Sequence, residues 1–312
     1  MSAPLSFAIR PMLPEEALQV ATLIFESTNH WYESKGFGKI FQGKADDCLV
    51  FTEVYEDLDP GCCLVAIDES SNRIIGSCFY HPRESHVSLG IMNAAHDSGH
   101  RGVARALLKS ITAIAEKRGQ PLRLVSSAFN LDSFSLYNKQ GFAPYAFYQD
   151  MFVEVPAMGI AVESIDGLSA RAATHEDVDS IHELERSVWS VSRRKDWQYF
   201  VENKRDIWGV DVVENEQGEI QGAIATVAHP GSRLLGPGVA CNHDVARLLI
   251  QTSLNRHKGY TPVFLIPSRE TELVAAMYAL GARNCELHIA QSLGPPPEVN
   301  GIILPTFMPE TG

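Results

Sequence analysis

The sequence predicts an α/β protein built from two copies of one fold, and three observations carry that reading. The chain has 312 residues, more than one hydrophobic core usually supports, so two domains of about 150 residues each are expected. Short apolar runs of strand length alternate with longer segments whose apolar residues recur every three or four positions. The order of elements in the first half then returns in the second. Hydrophobic residues at 45% and charged residues at 21% leave no long segment too polar to bury a core, so a folded chain is expected throughout.

The elements follow in order. Residues 6–12 read as a short strand, after which Pro14 opens a helix with Glu15 and Glu16 in its first turn, where carboxylates complement the helix dipole; it is expected to run to about Thr28. A polar, Gly-containing stretch precedes a second helix at residues 46–58, which Asp59-Pro60-Gly61 ends as a turn. Residues 62–68 and 74–80 read as an antiparallel hairpin joined by the polar turn Glu69 to Asn72. A third strand at 86–92 leads through a Gly- and His-bearing loop into a long helix at 101–118. There Val103, Ala104, Leu107, Leu108, Ile111, Ile114 and Ala115 form one apolar face, and Gly119 supplies the stop. A strand at 122–126, a helix at 131–140 and a strand at 144–155 complete the first copy.

Three local matches reveal the second copy. Arg10 followed by Glu15 and Glu16 matches Arg171 followed by Glu176 and Asp177. The run GVARALL from Gly102 matches DVARLLI from Asp244, and Ser135-Leu136-Tyr137 to Gly141 matches Ala275-Ala276-Met277 to Gly281. The spacing shrinks along the chain, so loops in the second copy are shorter. This gives a domain at 1–155, a Pro/Gly-bearing linker at 156–167 and a second domain at 168–312. The tail after Leu293, with Pro295, Pro296 and Pro297, reads as an extended strap over the surface.

A net charge of −12 repels phosphate backbones and anionic lipid surfaces, so neither nucleic acid nor membrane is an expected partner. The amino terminus lacks a signal-peptide pattern and no run of 18 apolar residues occurs, which predicts a soluble, cytoplasmic protein, monomeric or homodimeric. The six cysteines lack paired C-x-x-C spacing and read as small buried hydrophobes. Trp189, Trp197 and Trp208 read chiefly as core.

The most informative stretch is Gly99-His100-Arg101-Gly102-Val103-Ala104-Arg105, a small-residue turn feeding directly into an amphipathic helix. Its small side chains allow close backbone approach, and the first N–H groups of the helix have no internal acceptor, so the turn suits an anion such as a diphosphate. Arg101, Arg105 and Lys109 recur on the exposed side and read mainly as a solvated face. His96 and His100 lack a third ligand at suitable spacing, and no metal site is expected.

With a strand before it and Leu136-Tyr137-Asn138-Lys139-Gln140-Gly141-Phe142 some thirty residues after it, this loop resembles that of the GNAT acetyltransferase superfamily over most of residues 6–152. Gly102 and Ala104 match the last two fixed positions of the family's cofactor loop, while Gly99 stands where the family carries Gln or Arg. The resemblance implies two tandem domains, each a mixed, mostly antiparallel twisted sheet flanked by helices, that use acetyl-CoA. It places Gly99, His100, Arg101, Gly102, Val103, Ala104 and Arg105 at the phosphates. Ile91 and Met92 would offer a backbone edge to pantetheine and an N–H to the thioester carbonyl, with Asn130 and Ser133 on the pantetheine side. Tyr137 would be the general acid that protonates the departing thiolate of coenzyme A.

The third strand lacks the glutamate that many relatives carry, so the base is left open among Glu84, His86, His30, Glu53 and water. In the second copy Asp244 replaces Gly102 and Met277 replaces Tyr137. A carboxylate about 5 Å from a diphosphate charge costs roughly 3 kcal/mol at an effective dielectric near 20, so the second copy is expected to be catalytically silent. The expected function is transfer of acetyl to a primary amine of a small molecule. A catalytically inactive coenzyme A sensor or scaffold, and a peptide or protein amine acetyltransferase, are the alternatives. Residues 29–61 are expected to shape the acceptor side.

Overall fold

A computed structural model of the chain describes residues 7–97 and 102–310, and its two halves run through the same elements. The first comprises β1 (Phe7–Pro11), α1 (Ala17–Ser34), α2 (Leu49–Leu58), β2 (Cys63–Asp68), β3 (Ile74–Pro82), β4 (Val87–Ala94), α3 (Val103–Arg118), β5 (Leu122–Ser127), α4 (Leu131–Lys139) and β6 (Ala143–Phe152). The second comprises β7 (Leu168–Ala172), α5 (Val178–Trp189), α6 (Arg194–Glu202), β8 (Trp208–Asn215), β9 (Ile220–His229), β10 (Ser232–Ala240), α7 (His243–Leu254), β11 (Val263–Pro267), α8 (Thr271–Ala279) and β12 (Arg283–Leu293). A short β13 (Ile302–Leu304) follows. Helix α1 runs past the expected end at Thr28 to Ser34, because nothing breaks it until Gly36, which adopts a positive φ of 83°.

Matched residues do matched work. Arg10 grips Glu16 through two nitrogens at 2.8 and 2.6 Å, and Glu16 in turn accepts the Leu13 N–H at 2.8 Å. Arg171 grips Asp177 at 2.7 and 2.8 Å, and Asp177 accepts the Thr174 N–H at 2.7 Å. Each pair fixes the entry to a first helix by satisfying a terminal donor. Gly76 on β3 and Gly222 on β9 are a second such pair. A Cβ on either would lie 2.4 Å from a methyl of Val103 or Val245, so glycine lets α3 and α7 press onto the sheet.

The sheet itself departs from two self-contained copies. Its strand order is β1-β2-β3-β4-β5-β12-β6-β11-β10-β9-β8-β7, with β13 beside β10. Strand β12, the last of the second half, pairs antiparallel with β5 of the first, and β6 pairs antiparallel with β11 of the second. Strands β6 and β12 pair with each other from Ala143–Ser292 to Phe152–Arg283. Each half therefore hands its final strand to the other, and the order reads the same outward from the β6–β12 seam in both directions.

The cores follow this sharing. Helices α1, α2, α5 and α6 cover one region jointly: Ile24, Val54 and Tyr55 of the first half pack in a single cluster with Trp197, Phe200 and Trp208 of the second. All three tryptophans at 189, 197 and 208 are buried. Helices α3 and α4 cover the opposite face of the first half through Leu107, Leu108, Ile111 and Tyr137. Of the cysteines, Cys48, Cys63 and Cys78 are buried and all six are free thiols, but Cys241 and Cys285 are exposed, against the expectation that they are core residues.

The tail is not the surface strap that its prolines suggest. Ile302, Ile303 and Leu304 are buried, and β13 forms an antiparallel ladder with Gly238, Val239 and Ala240 of β10. Proline cannot donate to a ladder, but the three prolines precede β13 and do not impede it. Farther on, Glu310 accepts a hydrogen bond from the Tyr55 hydroxyl at 2.6 Å, which ties the tail to the first half.

A buried ion network joins the halves on the α2–α6 side. Arg83 donates to Asp59 at 2.8 Å and to Asp196 of α6 at 2.9 Å, and His81 meets Asp59 at 2.8 Å. Arg83 and both aspartates are buried. Burial opposes the charge on Asp59, but its bonds to His81 and its charge pairing with Arg83 hold its carboxyl well below the usual range. Removing one partner of such a network leaves an uncompensated buried charge. Asp196→Ala is therefore expected to destabilise the protein by about 3–5 kcal/mol, read from equilibrium urea unfolding; a loss within about 0.5 kcal/mol would show that surface-like solvation reaches Arg83.

Candidate functional site

The first half opens its sheet where β4 and β5 part. The two strands run parallel and pair only at Val87–Leu122 and Ser88–Arg123. Beyond that point β5 continues against β12 and β4 stays with β3. A register shift in the β3–β4 ladder between Cys78 and Tyr80 inserts an extra residue at Gly90–Ile91. Such a bulge re-aims side chains: Leu89 and Met92 pack on the α3 side, whereas Ile91 joins the core on the α1 side. Among the described residues no strand pairs with β4 on its β5 side past Ser88.

Helix α3 begins over the far end of β4, where Val103 packs on Gly76, the partner of Ala94. Gly102 precedes it with a φ of 113°, a conformation that favours glycine, and carries no side chain that could cap the helix. The first-turn amides, at Val103, Ala104 and Arg105, have no acceptor within the helix. Val103 is buried, Ala104 half-buried and Arg105 exposed. Gly99, His100 and Arg101 lie outside the described residues. Asn130 and Ser133 engage each other at the start of α4, where the Asn130 side-chain oxygen accepts the Ser133 N–H at 3.0 Å. Tyr137 is buried in the α3-side core with its ring 5.8 Å from Phe142. Burial raises the pKa of its phenol, so it keeps its proton at neutral pH.

The equivalent opening in the second half is closed. Strands β10 and β11 pair in parallel only at Leu234–Val263 and Leu235–Phe264 before they part, and β13 lies in the gap. Ile302 and Leu304 pack with Ile266 of β11, and Ile303 with Leu265. Helix α7 is capped, because the Asn242 side chain accepts the Val245 N–H at 3.0 Å. Asp244 is exposed and pairs with Arg247 at 2.9 Å, and Arg247 also meets Glu163 at 3.2 Å. With β13 in the gap and Asn242 on the helix start, the second half lacks both the open strand edge and the uncapped helix of the first. Met277 is buried at the Tyr137 position, and the neighbouring Tyr278 hydroxyl bonds Gln149 at 2.8 Å.

Beside the first opening lies a cleft of about 570 Å³ between the halves, reached by Ile91 on one side and by Phe41, Lys44 and Asp47 of the 29–61 segment on another. Its floor is a cluster drawn from the seam. Asp150 of β6 meets His288 Nδ1 at 2.8 Å, and Glu286 of β12 accepts from the Tyr32 hydroxyl at 2.7 Å and from Ser127 Oγ. Asp150, Glu286 and His288 are buried, and their oxygen and nitrogen atoms fall within 4.8 Å of one another. The Asp150 contact occupies His288 Nδ1, so the group reads first as a hydrogen-bonded set of acids and imidazole. Burial by itself would lower the His288 pKa; Asp150 and Glu286 overcome it and raise it.

None of the four side chains singled out as bases lines this cleft. Glu53 pairs with Arg205, Glu84 accepts from Ser192, His86 meets Ser85, and His30 stacks on His96 at 3.9 Å. Sequence reasoning missed Asp150, Glu286, His288 and Tyr32, because only the strand exchange brings them together.

Two family models match the chain: the Acetyltransferase (GNAT) family over residues 25–142 and the Acetyltransferase (GNAT) domain over residues 181–288. No curated protein matches it in sequence. Among solved structures, a putative acetyltransferase from Pyrococcus horikoshii has a TM-score of 0.73 at 13% identity, covering 97% of this chain and 95% of that one. A GCN5-related N-acetyltransferase from Sphaerobacter thermophilus has a TM-score of 0.66 at 16% identity, with 92% and 95% covered. A tandem GNAT protein from the clavulanic acid biosynthesis pathway has a TM-score of 0.63 at 14% identity, with 93% and 99% covered. At these identities the likeness concerns the fold. No helix among the described residues is long and apolar enough to cross a membrane.

The cluster makes a titration prediction. The His288 ring should lose its proton above pH 6.5, its ordinary midpoint, because the paired carboxylates favour the charged form. In Asp150→Asn, with burial less opposed, the midpoint should fall. Side-chain NMR titration of His288 reads both; an unchanged midpoint in the variant would remove Asp150 as the cause.

Proposed function

The chain belongs to the GNAT acetyltransferase superfamily as a tandem two-domain member, and from that premise we propose that it transfers acetyl from acetyl-CoA to a primary amine of a small molecule, with the chemistry in the first copy. The observation that carries the reading is the contrast between the two openings. One has a free β4 edge and a glycine-started helix, and the other is filled by β13 and capped by Asn242.

In this reading the residues of the first opening fit an extended amide chain ending in a diphosphate. Backbone N–H groups at Ile91 and Met92 offer donors toward a thioester carbonyl, and amides at Gly102 to Arg105, together with Gly99, His100 and Arg101, hold the phosphates. Tyr137, neutral and on the α3 side, gives its proton to the leaving thiolate. A cleft of about 570 Å³ lies within the range of small-molecule pockets, which supports a small amine over a protein substrate.

Calorimetry should count one coenzyme A per chain. Gly102→Asp should bind it about a hundredfold more weakly than Gly102→Ala, since both strain the backbone but only one adds a charge worth roughly 3 kcal/mol. Two coenzyme A molecules per chain would contradict the closed second opening. Thiol release from acetyl-CoA against an amine panel should fall about a hundredfold or more in Tyr137→Phe. Equal rates would remove Tyr137 from the mechanism, and saturable binding without turnover on any amine would favour the sensor alternative.

A further inference from the structure

We propose that Glu286 is the general base for the acceptor amine, so that the one active site takes its acid from the first copy and its base from the last strand of the second. The inference rests on the acetyltransferase reading above and adds the group that reading lacks.

Position is the first argument. Strand β12 pairs with β5 so that His288 lies opposite Ser127, and Glu286 bonds the Ser127 hydroxyl at the end of β5. This is the far side of the opening from Ile91, and both residues line the same cleft. Tyr137 lies in the α3-side core whereas Glu286 lies toward α1, where Tyr32 reaches it. Acid and base thus approach the gap between β4 and β5 from opposite faces of the sheet, so each can serve a different partner of the exchange.

Charge is the second. Glu286 is 7% exposed, and its partners are the hydroxyls of Tyr32 and Ser127. Among the described residues no lysine or arginine pairs with it. The other carboxylates at the cleft are engaged elsewhere: Asp150 holds His288, Glu310 accepts from Tyr55 and lies 3.6 Å from His81, and Asp47 accepts the Lys44 N–H. His288, bonded to Asp150, is the one imidazole beside two buried carboxylates, so the group keeps an excess negative charge that is costly to bury, and an incoming ammonium offsets it. The third argument is asymmetry. Aligning Gly141 with Gly281 sets Ala146 against Glu286 and Tyr148 against His288, and Tyr145, Ala146 and Tyr148 line a similar hollow of about 580 Å³ in the second copy. The carboxylate and imidazole occur only beside the opening that is not filled by β13.

The protons balance. The ammonium gives one proton to Glu286, the freed amine attacks the thioester carbon, the C–N bond forms and the C–S bond breaks. The thiolate takes the Tyr137 proton, and the second nitrogen proton returns to the tyrosinate through water. Glu286 then releases its proton to solvent, leaving an amide, a free thiol and one proton.

The test compares two nucleophiles in intact protein. Primary amines with apolar bodies, phenethylamine among them, are ammonium ions near neutral pH, whereas hydroxylamine is already largely neutral. Glu286→Gln should lower kcat for the ammonium substrates by about a hundredfold or more while hydroxylamine stays within about threefold. The alkylamine loss should shrink as pH rises, and Glu286→Asp should recover part of the rate. Coenzyme A affinity and the unfolding midpoint, measured alongside, show that the variant is folded and loaded. Equal losses on both nucleophiles, no loss on either, or activity abolished by EDTA would each overturn the assignment, the last giving the cluster to a metal ion. Wild-type protein inactive on every nucleophile would instead defeat the acetyltransferase reading itself.

Discussion

The structure depends on the ladder between β6 and β12. An open sheet edge is an aggregation hazard that proteins cover or pair, and here each copy's final strand is paired on both sides, once with its twin and once with the other copy's β5 or β11. Neither copy then owns a complete sheet. The shared cluster of Ile24, Tyr55, Trp197 and Phe200 and the Arg83 ion network follow from this, since strands committed to a common seam bring α1 and α2 against α5 and α6. Cooperative unfolding of the two halves is the physical consequence.

The same ladder permits the halves to differ. With the seam holding the scaffold, the second opening carries no demand to remain open, and β13 fills it. Burying Ile302, Ile303 and Leu304 stabilises the fold by about 1.5–3 kcal/mol for each side chain, before counting the ladder with β10. A ligand would have to displace all of it. That exceeds the roughly 3 kcal/mol expected from the Asp244 charge, so in the proposed reading a packed strand, more than electrostatic repulsion, would set the two copies apart.

Local signals in the sequence explain what could be read there. The Arg10 and Arg171 motifs, the apolar stripe of α3, the Gly119 stop and the hairpin at 62–80 are all set by neighbours in the chain, and each appears where expected. The glycine that starts α3 and the helix bearing Tyr137 were legible for the same reason. What escaped depends on partners far along the chain. Nothing in the run from Arg283 to Leu293 says that it pairs with Leu122 to Ser127 rather than with a strand of its own half, because alternation fixes which faces are buried and not which edge is met. Glu286 and Asp150 therefore looked like unrelated acids. The tail departs from the extended strap that Pro295 to Pro297 suggest because the three apolar residues Ile302, Ile303 and Leu304 find their partner, β10, only in the folded chain.

The seam also carries a conflict that local stability would not select. Glu286 and Asp150 sit directly opposite in the β6–β12 ladder, and like charges at such positions are destabilising. The bulge between Asn284 and Glu286 bends the strand beside them, and one imidazole serves two buried carboxylates. An apolar pair would pack better, as Ile289 opposite Phe147 and Ala290 opposite Ala146 do farther along the same ladder. When a structure keeps a costly buried charge next to an opening in its sheet, the compensation lies in what enters that opening. Here the geometry asks for a cation, the part that the acceptor amine would play in the proposed reaction.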